Sequence, residues 1–280
     1  ITHEITGEYR TDHTYGSRSL LMNVRTRQWD PKLLDIFEIE SGKLCELREP
    51  GTVIGTVTEK FAAKTGLVAG TPFVSAGGDQ QCAALGHGVT APGSLEITTG
   101  TGAFMLGYSE KVPDNLTNNI ICGAHAIPGK YVLESSMLTC AALYNWAKTN
   151  LFADSENDEK PFERINEAVK QSPPGANDCL ALPYFQGRGT PDWNADAKGH
   201  FANLGLNTTR ADMARAILEA IALEAKNNLD IVESYVGTID KLLIGGGLTK
   251  FPEFDQMQAD VYQKALTHNQ SSAEQTALGA

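Results

Sequence analysis

The sequence predicts an α/β protein with a mixed β-sheet flanked by helices, and three observations carry that prediction. Strand-like apolar runs cluster first, in "GSLEITTGTGAFMLGYSE" and "GKYVLESS", which read as strand, tight turn, strand and a further strand. Helix and strand patterns then alternate, with a long amphipathic stretch before "TIDKLLIGGG" and a helix pattern after it. Hairpins followed by alternating strands and helices belong to a sheet that is part antiparallel and part parallel. Finally, strand-like runs end in glycines at "TPFVSAGG", "ITTGTG" and "LLIGGG". Open α/β sheets place their ligands at such strand ends.

Taken in order, "WDPKLLDIFEI" predicts a short helix with Asp30 as N-cap and Pro31 in its first turn. "TVIGTVT" alternates as a strand, and "EKFAAKTG" is a helix capped by Thr58 and stopped by Gly66. "TPFV" reads as a buried strand that delivers Asp79. After the hairpin strands, "SMLTCAALYNWAKTNLF" reads as an amphipathic helix. Residues 154–180 are polar with a Pro-Pro pair and predict a short helix with loops, "DSENDEK" being a solvated loop. "CLALPYF" is a strand, and "QGRGTPDWNADAKGHFANLGLN" is irregular. A long helix starts at Thr209, which forms a capping box with Asp212, and its apolar stripe is Met213, Ile217, Ile221, Ala225, Leu229 and Val232. "FPEFDQMQADVYQKA" is the last full helix.

With 280 residues, 41% hydrophobic and 20% charged, the chain is long enough for one large or two ordinary domains with real cores. A net charge of −11 with scattered Lys and Arg argues against a nucleic-acid partner. No apolar run approaches the ~20 residues that span a bilayer, so no membrane partner is expected. Five cysteines without CxxC spacing predict reduced thiols and a cytoplasmic location, and six dispersed histidines predict no protein-built metal site. The start, "ITHEITGEYR", has no Met or signal-peptide core, and the end, "SSAEQTALGA", reads as a first helical turn. The chain is expected to be part of a longer protein.

The chemistry concentrates at the glycine turns. In "SAGGDQQCAAL", Asp79 is either a helix N-cap or a catalytic carboxylate on a strand-to-helix turn. In "TTGTGAF", Gly100 and Gly102 flank Thr101; glycines there permit positive φ and let N–H groups crowd an anion, whereas the plain alternative is a hairpin turn. In "LLIGGGLTKF", Gly245, Gly246 and Gly247 suit the close approach of a phosphate or flat ligand, without matching GxGxxG or a P-loop. Together they suggest a phosphate-handling enzyme in which Asp79 accepts a proton. Asp192 and Asp196 could pair as glycosidase acids but lie in an irregular loop. Arg188 and Lys198 are read as surface residues, and Trp29, Trp146 and Trp193 as packing residues.

These residues resemble the C-terminal half to two-thirds of the FGGY carbohydrate kinases, in the actin/hexokinase/Hsp70-like ATPase superfamily. "AGGDQQCAALG" and "TTGTGAFMLG" look most like the glycerol kinases of that family, and "GRGTPDWNADAKGHF" more like its pentulose and gluconate kinases. The second family signature runs from Gly199 to Glu219, departing at Asn203, where the family usually has Gly. The resemblance implies an actin-like (ribonuclease H-like) ATPase domain over residues 75–280, with residues 1–74 the remnant of the preceding domain. It implies ATP and Mg²⁺ as cofactors and phosphorylation of a small sugar or polyol, a ketopentose such as xylulose first and glycerol second. A homo-oligomer stays open.

By position, the resemblance makes Asp79 the catalytic base and sets Gln80 and Phe104 along the polyol site. Gly100, Thr101 and Gly102 become the second phosphate loop, Ala141 and Asn145 line the nucleotide, and Gly246 and Gly247 form the adenosine motif. Phe251 stands where the family often has Asn or Ser, and either stacks on the base or packs in the core. The family's first phosphate loop, an Asp-Gly-Thr hairpin, does not occur in these residues, so the chain alone is expected to be inactive. A non-catalytic actin-like nucleotide-binding module is the alternative; an acyl-phosphate kinase would lack the signature ending at Glu219.

Overall fold

Short elements joined by side chains make up the first 75 residues of the structure, a computed structural model that describes residues 1–152, 160–268 and 275–280. α1 (Thr2–Thr6), β1 (Arg10–Asp12) and α2 (His13–Arg18) lead into an antiparallel pair, β2 (Met22–Asn23) and β3 (Gln28–Trp29). α3 (Pro31–Ile36) starts where its sequence predicts: Asp30 accepts from the Lys32 N–H, and Pro31, which has no N–H to satisfy, fills the first turn. β4 (Glu46–Arg48) runs parallel to β1, and β5 (Thr52–Thr56) pairs with β6 (Pro72–Ser75) around α4 (Glu59–Thr65), which has its Thr58 cap and left-handed Gly66. β6 is not the buried strand expected. It alternates exposed and half-buried residues because it belongs to a two-stranded ribbon with β5.

After α5 (Asp79–His87), the chain builds a six-stranded mixed sheet. β7 (Ser94–Thr99), β8 (Ala103–Ser109), β9 (Ile121–Ala124) and β10 (Tyr131–Met137) are antiparallel neighbours in the order β7-β8-β10-β9. α6 (Ala141–Ala147), α7 (Pro161–Gln171), the exposed ribbon β11 (Leu180–Leu182) with β12 (His200–Ala202), and α8 (Arg210–Val236) follow. β13 (Lys241–Gly246) then adds parallel to β7, and after α9 (Pro252–Tyr262) β14 (Leu266–His268) adds parallel to β13. α10 (Gln275–Gly279) packs on α5 so tightly that a Cβ on Gly279 would sit 1.8 Å from the Cys82 carbonyl oxygen.

Period-two alternation divides the sheet cleanly. Leu95, Ile97, Met105, Leu133, Leu242 and Ile244 face the large core under α8, whose buried stripe includes Ile217, Ile221, Ala225, Leu229 and Val232. Met213 of the predicted stripe is only half-buried and belongs to a smaller cluster with Ala176, Cys179 and Ala216. The capping box forms as expected, Thr209 and Asp212 each satisfying the other's backbone N–H. The opposite face carries Leu106, Tyr108, Val132 and Leu243 against Ala84 of α5.

Two sequence expectations shift here. The helix expected from "SMLTCAALYNWAK" begins only at Ala141, because Ser135–Met137 extend β10 and pair with Met105–Ala103. Asn203, standing where the resembled family usually has Gly, adopts φ +58, a left-handed conformation that Asn tolerates better than most residues. Arg188 is no free surface cation: its guanidinium grips Glu224 of α8 with Nε–Oε1 at 2.8 Å and also pairs with Asp192. "DSENDEK" lies outside the described residues except for Lys160. Among the described residues, no helix is long and apolar enough to cross a membrane.

The α5 face also buries two acids, Glu96 and Glu134, on either side of Leu106. Glu134 is held by Arg18 of α2 at 2.6 Å. Glu96, fully buried, accepts only from the Thr98 hydroxyl at 2.7 Å, and His87 lies 3.9 Å away. Burial, with a smaller push from the Glu134 charge, raises the Glu96 carboxyl from 4.5 to about 8. Between those values the folded chain holds a proton that the unfolded chain has released. The associated stability is therefore complete below the lower value and is lost as pH rises through the upper one. Glu96→Gln, neutral throughout, should remove this pH dependence, a difference on the order of a few kcal/mol between about pH 5 and pH 8.5. Urea unfolding of both proteins at the two pH values checks it. Burial shifts His87 in the opposite, lowering sense, so the comparison with Gln isolates Glu96. Parallel pH profiles would show that Glu96 does not carry the coupling.

Candidate active site

The turn 76–78 projects Asp79 from the end of β6 into the first turn of α5. Asp79 is not the N-cap: Gly78 occupies that position, and Asp79 is the first helical residue. It is exposed, and its Oδ1 accepts from the Gln80 N–H at 2.8 Å, which leaves Oδ2 and further acceptor capacity on Oδ1 open to a ligand. Gln80 follows with its side-chain Oε1 buried and unpartnered, an acceptor suited to a hydroxyl. Beside them lies α2, none of whose residues stands among the site residues expected from the sequence. Burial first, then the charges of Asp12 and Asp79, raise both the Tyr15 phenol and the Cys82 thiol, which places these four groups together. The signal available in sequence was the Asp-x-Thr of "TDHT", a helix-capping pattern: Asp12 accepts from the N–H groups of Thr14 and Tyr15.

The two glycine turns meet at one end of the sheet. Thr99 pairs with Ala103 across a three-residue turn, Gly100-Thr101-Gly102, and Thr99 also stands level with Gly246 in the parallel ladder. Gly100 and Gly102 do not use the positive φ that glycine permits. What demands glycine is crowding, since a Cβ on Gly102 would lie 2.4 Å from the Met137 carbonyl oxygen. The turn's carbonyls are spent on α6: Gly100 and Thr101 accept from the N–H groups of Cys140, Ala141 and Ala142. That contact sets Ala141 against the hairpin, with Asn145 exposed one turn further on. Thr101 is exposed at the tip.

Gly246 has φ +98, and a Cβ there would fall 2.3 Å from the Thr99 carbonyl oxygen, so both conformation and space require glycine. Gly247, which opens a short 3₁₀ turn, has nothing within 4 Å of where a Cβ would stand. Phe251 is 6% exposed, sits in the large core and has its ring stacked on Tyr144 with centroids 6.4 Å apart. Phe104 joins the two regions: two residues past Gly102, it is half-buried and packs against the Ala84–Leu106 cluster under α5. The structure thus brings Gly100, Thr101, Gly102, Ala141, Gly246 and Gly247 to one end of the sheet, with Asn145 a turn further along α6, and sets Asp79 and Gln80 at the start of α5. Among the described residues no group of three or more His, Cys, Asp or Glu could hold a metal ion.

Comparison with known proteins agrees with this architecture. Residues 1–86 match the FGGY family of carbohydrate kinases, N-terminal domain, and residues 95–280 match the C-terminal domain of the same family. Glycerol kinase from Thermococcus gammatolerans is 33% identical over 289 residues, covering 100% of this chain and 55% of the relative. Glycerol kinase from Chromobacterium violaceum is 34% identical, covering 96% and 52%. Among solved structures, a ligand-bound xylulose kinase from Lactobacillus acidophilus superposes with a TM-score of 0.91 at 23% identity over 100% of this chain and 56% of its own. Glycerol kinase from Plasmodium falciparum with ADP gives 0.86 at 26% identity over 99% and 55%. The chain spans about half the length of the relatives it matches. With two-thirds of its residues matched by the C-terminal domain and nearly all the rest by the N-terminal domain, this chain belongs to the FGGY family of carbohydrate kinases.

Proposed function

We propose that the protein containing this chain is an ATP-dependent kinase that phosphorylates a hydroxyl of a small sugar or polyol, with Asp79 as the base. The observation that carries the reading is the exposed Asp79 carboxylate at the start of α5, followed by Gln80 with its unpartnered Oε1, in a chain whose mixed sheet gathers two glycine turns at one end. A ketopentose is the first choice of acceptor. Glycerol has equal support from the glycerol kinase relatives, and the two are separated by experiment.

The Asp79 oxygen that does not accept from Gln80 takes the proton of the acceptor hydroxyl as its oxygen attacks. Gln80 Oε1 accepts from a second hydroxyl and orients the acceptor, with the Phe104 ring as an apolar wall. Thr101 donates its hydroxyl to a phosphate oxygen, and the open face of Gly247 admits the nucleotide, with Ala141 and Asn145 alongside. ATP with Mg²⁺ supplies, when bound, the transferable phosphoryl group and the charge that neutralises it. The residues of this chain contribute mainly position and proton acceptance.

A substrate panel of xylulose, ribulose, glycerol and gluconate on the full-length gene product, followed by ADP release, tests the reading. Absence of turnover with any small polyhydroxyl acceptor would favour the non-catalytic module. Asp79→Asn should lower kcat by ~10²–10⁴-fold with little change in ATP affinity, since the near-isosteric amide cannot take the proton. Retention of more than about a tenth of wild-type turnover, with chemistry rate-limiting, would reduce Asp79 to a structural residue.

Thr101→Val keeps shape but removes the hydroxyl, and should weaken ATP use by ~1.5–3 kcal/mol without affecting acceptor binding. Unchanged ATP kinetics would leave Gly100–Gly102 as a plain turn. The neighbouring glycines should separate two effects. Gly246→Ala is strained by conformation and crowding and should lower the unfolding midpoint. Gly247→Ala should fold normally and lose nucleotide affinity, because its methyl enters the open space. Thermal unfolding and nucleotide titration of both variants check this, and equal behaviour of the pair would remove the role given to Gly247.

A further inference from the structure

The turn that presents Asp79 has no side-chain cap of its own, because its N-cap is Gly78. Its restraint comes from 64 positions earlier in the chain. Asp12, 0% exposed, accepts through one carboxylate oxygen from the N–H groups of Thr14 and Tyr15 and from the Thr14 hydroxyl, and through the other from the Ser75 hydroxyl. A carboxylate accepts only, so the single hydroxyl proton of Thr14 is committed to Asp12. The Thr14 oxygen is then left with a lone pair, which accepts from the Gly78 N–H at 2.7 Å. One buried carboxylate thereby holds the turn at both ends, at Ser75 directly and at Gly78 through Thr14. Between these holds Gly77 has φ +133, and a Cβ on it would stand 3.4 Å from Thr14 Cγ2 and Oγ1.

We propose that Thr14, backed by Asp12, is the positioning residue for the Asp79 carboxylate. The inference rests on the kinase reading above and adds to it that the base is placed by the N-terminal segment through a charge-assisted hydrogen-bond chain. Asp79 and Gln80 are the first two residues after the held amide, so a slack turn displaces both. A displacement of about 1 Å at a reacting group costs on the order of 10²-fold in rate. The Thr14 side chain, 0% exposed, acts through the turn.

The test compares Thr14→Val and Thr14→Ser with wild type in the full-length gene product. Thr14→Val should lower kcat about 10²-fold while the KM for ATP stays within about twofold, and Thr14→Ser should recover kcat to within about threefold. Amide exchange at Gly78 should be at least about tenfold faster in Thr14→Val and near wild type in Thr14→Ser. Unchanged kcat with unchanged Gly78 exchange in a folded Thr14→Val protein overturns the proposal, as does an equal loss in both variants. If Thr14→Val fails to fold, Ser75→Ala cuts the other hold by removing one hydroxyl and is judged by the same two measurements. If wild type phosphorylates no acceptor, the kinase reading falls. The hold on the turn is then decided by Gly78 exchange alone, where acceleration in Val with recovery in Ser supports it and equal rates overturn it.

Discussion

The parallel ladder between β13 and β7 is the constraint on which the candidate site depends. It brings Gly246 level with Thr99, so two turns separated by more than a hundred residues open at the same end of the sheet. Parallel neighbours need a long crossover, and here the intervening chain supplies the rest of the hairpin sheet, α6, α7 and the 27-residue α8. The ladder also dictates sequence. With the Thr99 carbonyl oxygen where a Cβ of residue 246 would stand, only glycine satisfies the pairing, and the Thr99 hydroxyl closes the contact on Gly245 O at 3.0 Å.

The two faces of that sheet do different work. Beneath α8 lies an apolar core in which Phe254, Leu229 and Ile217 are fully buried, and burial of this kind is the main source of stability. The α5 face is smaller and carries Glu96, Glu134 and His87 among its apolar residues. Buried carboxylates are costly unless partnered, and the two solve the problem differently. Glu134 takes Arg18 from α2, whereas Glu96 is held toward its protonated form. The Arg18 pair lies on the same short helix as Thr14, and the Ala124 N–H donates to Ser17 Oγ between them at 3.2 Å. α2 is thus fixed to β9, β10 and the Asp79 turn together.

How much was legible in sequence follows from where each signal resides. Caps and turns are local: Asp30 before Pro31, Thr58 and Gly66 around α4, and the Thr209–Asp212 box act within four residues and were read correctly. Apolar runs bounded by glycine turns located β7, β8, β10 and β13, but did not show where β10 stops, because pairing with β8 carries it through Met137 into a stretch that also reads as helix. β9, β12 and β14 are three or four residues long and leave little periodicity to detect. The glycine turns were found for their residue type. The physical reason for Gly102 was missed, because the carbonyl that excludes a side chain there belongs to β10.

Sequence by itself determined the α/β class, the caps of α3, α4 and α8 and the family motifs around Asp79, Thr101 and Gly246, since these depend on neighbouring residues and on residue types that few backbones tolerate. Tertiary structure decided the rest. It put Phe251 in the core because Tyr144 of α6 lies against it, and it engaged Arg188 with Glu224 because α8 passes under that loop. It also joined Asp12 and Thr14 to the Asp79 turn, a contact between segments more than sixty residues apart. Hydrogen bonds of that range depend on how two elements dock, and docking is set by shape and burial over the whole molecule, which no local pattern in the chain encodes.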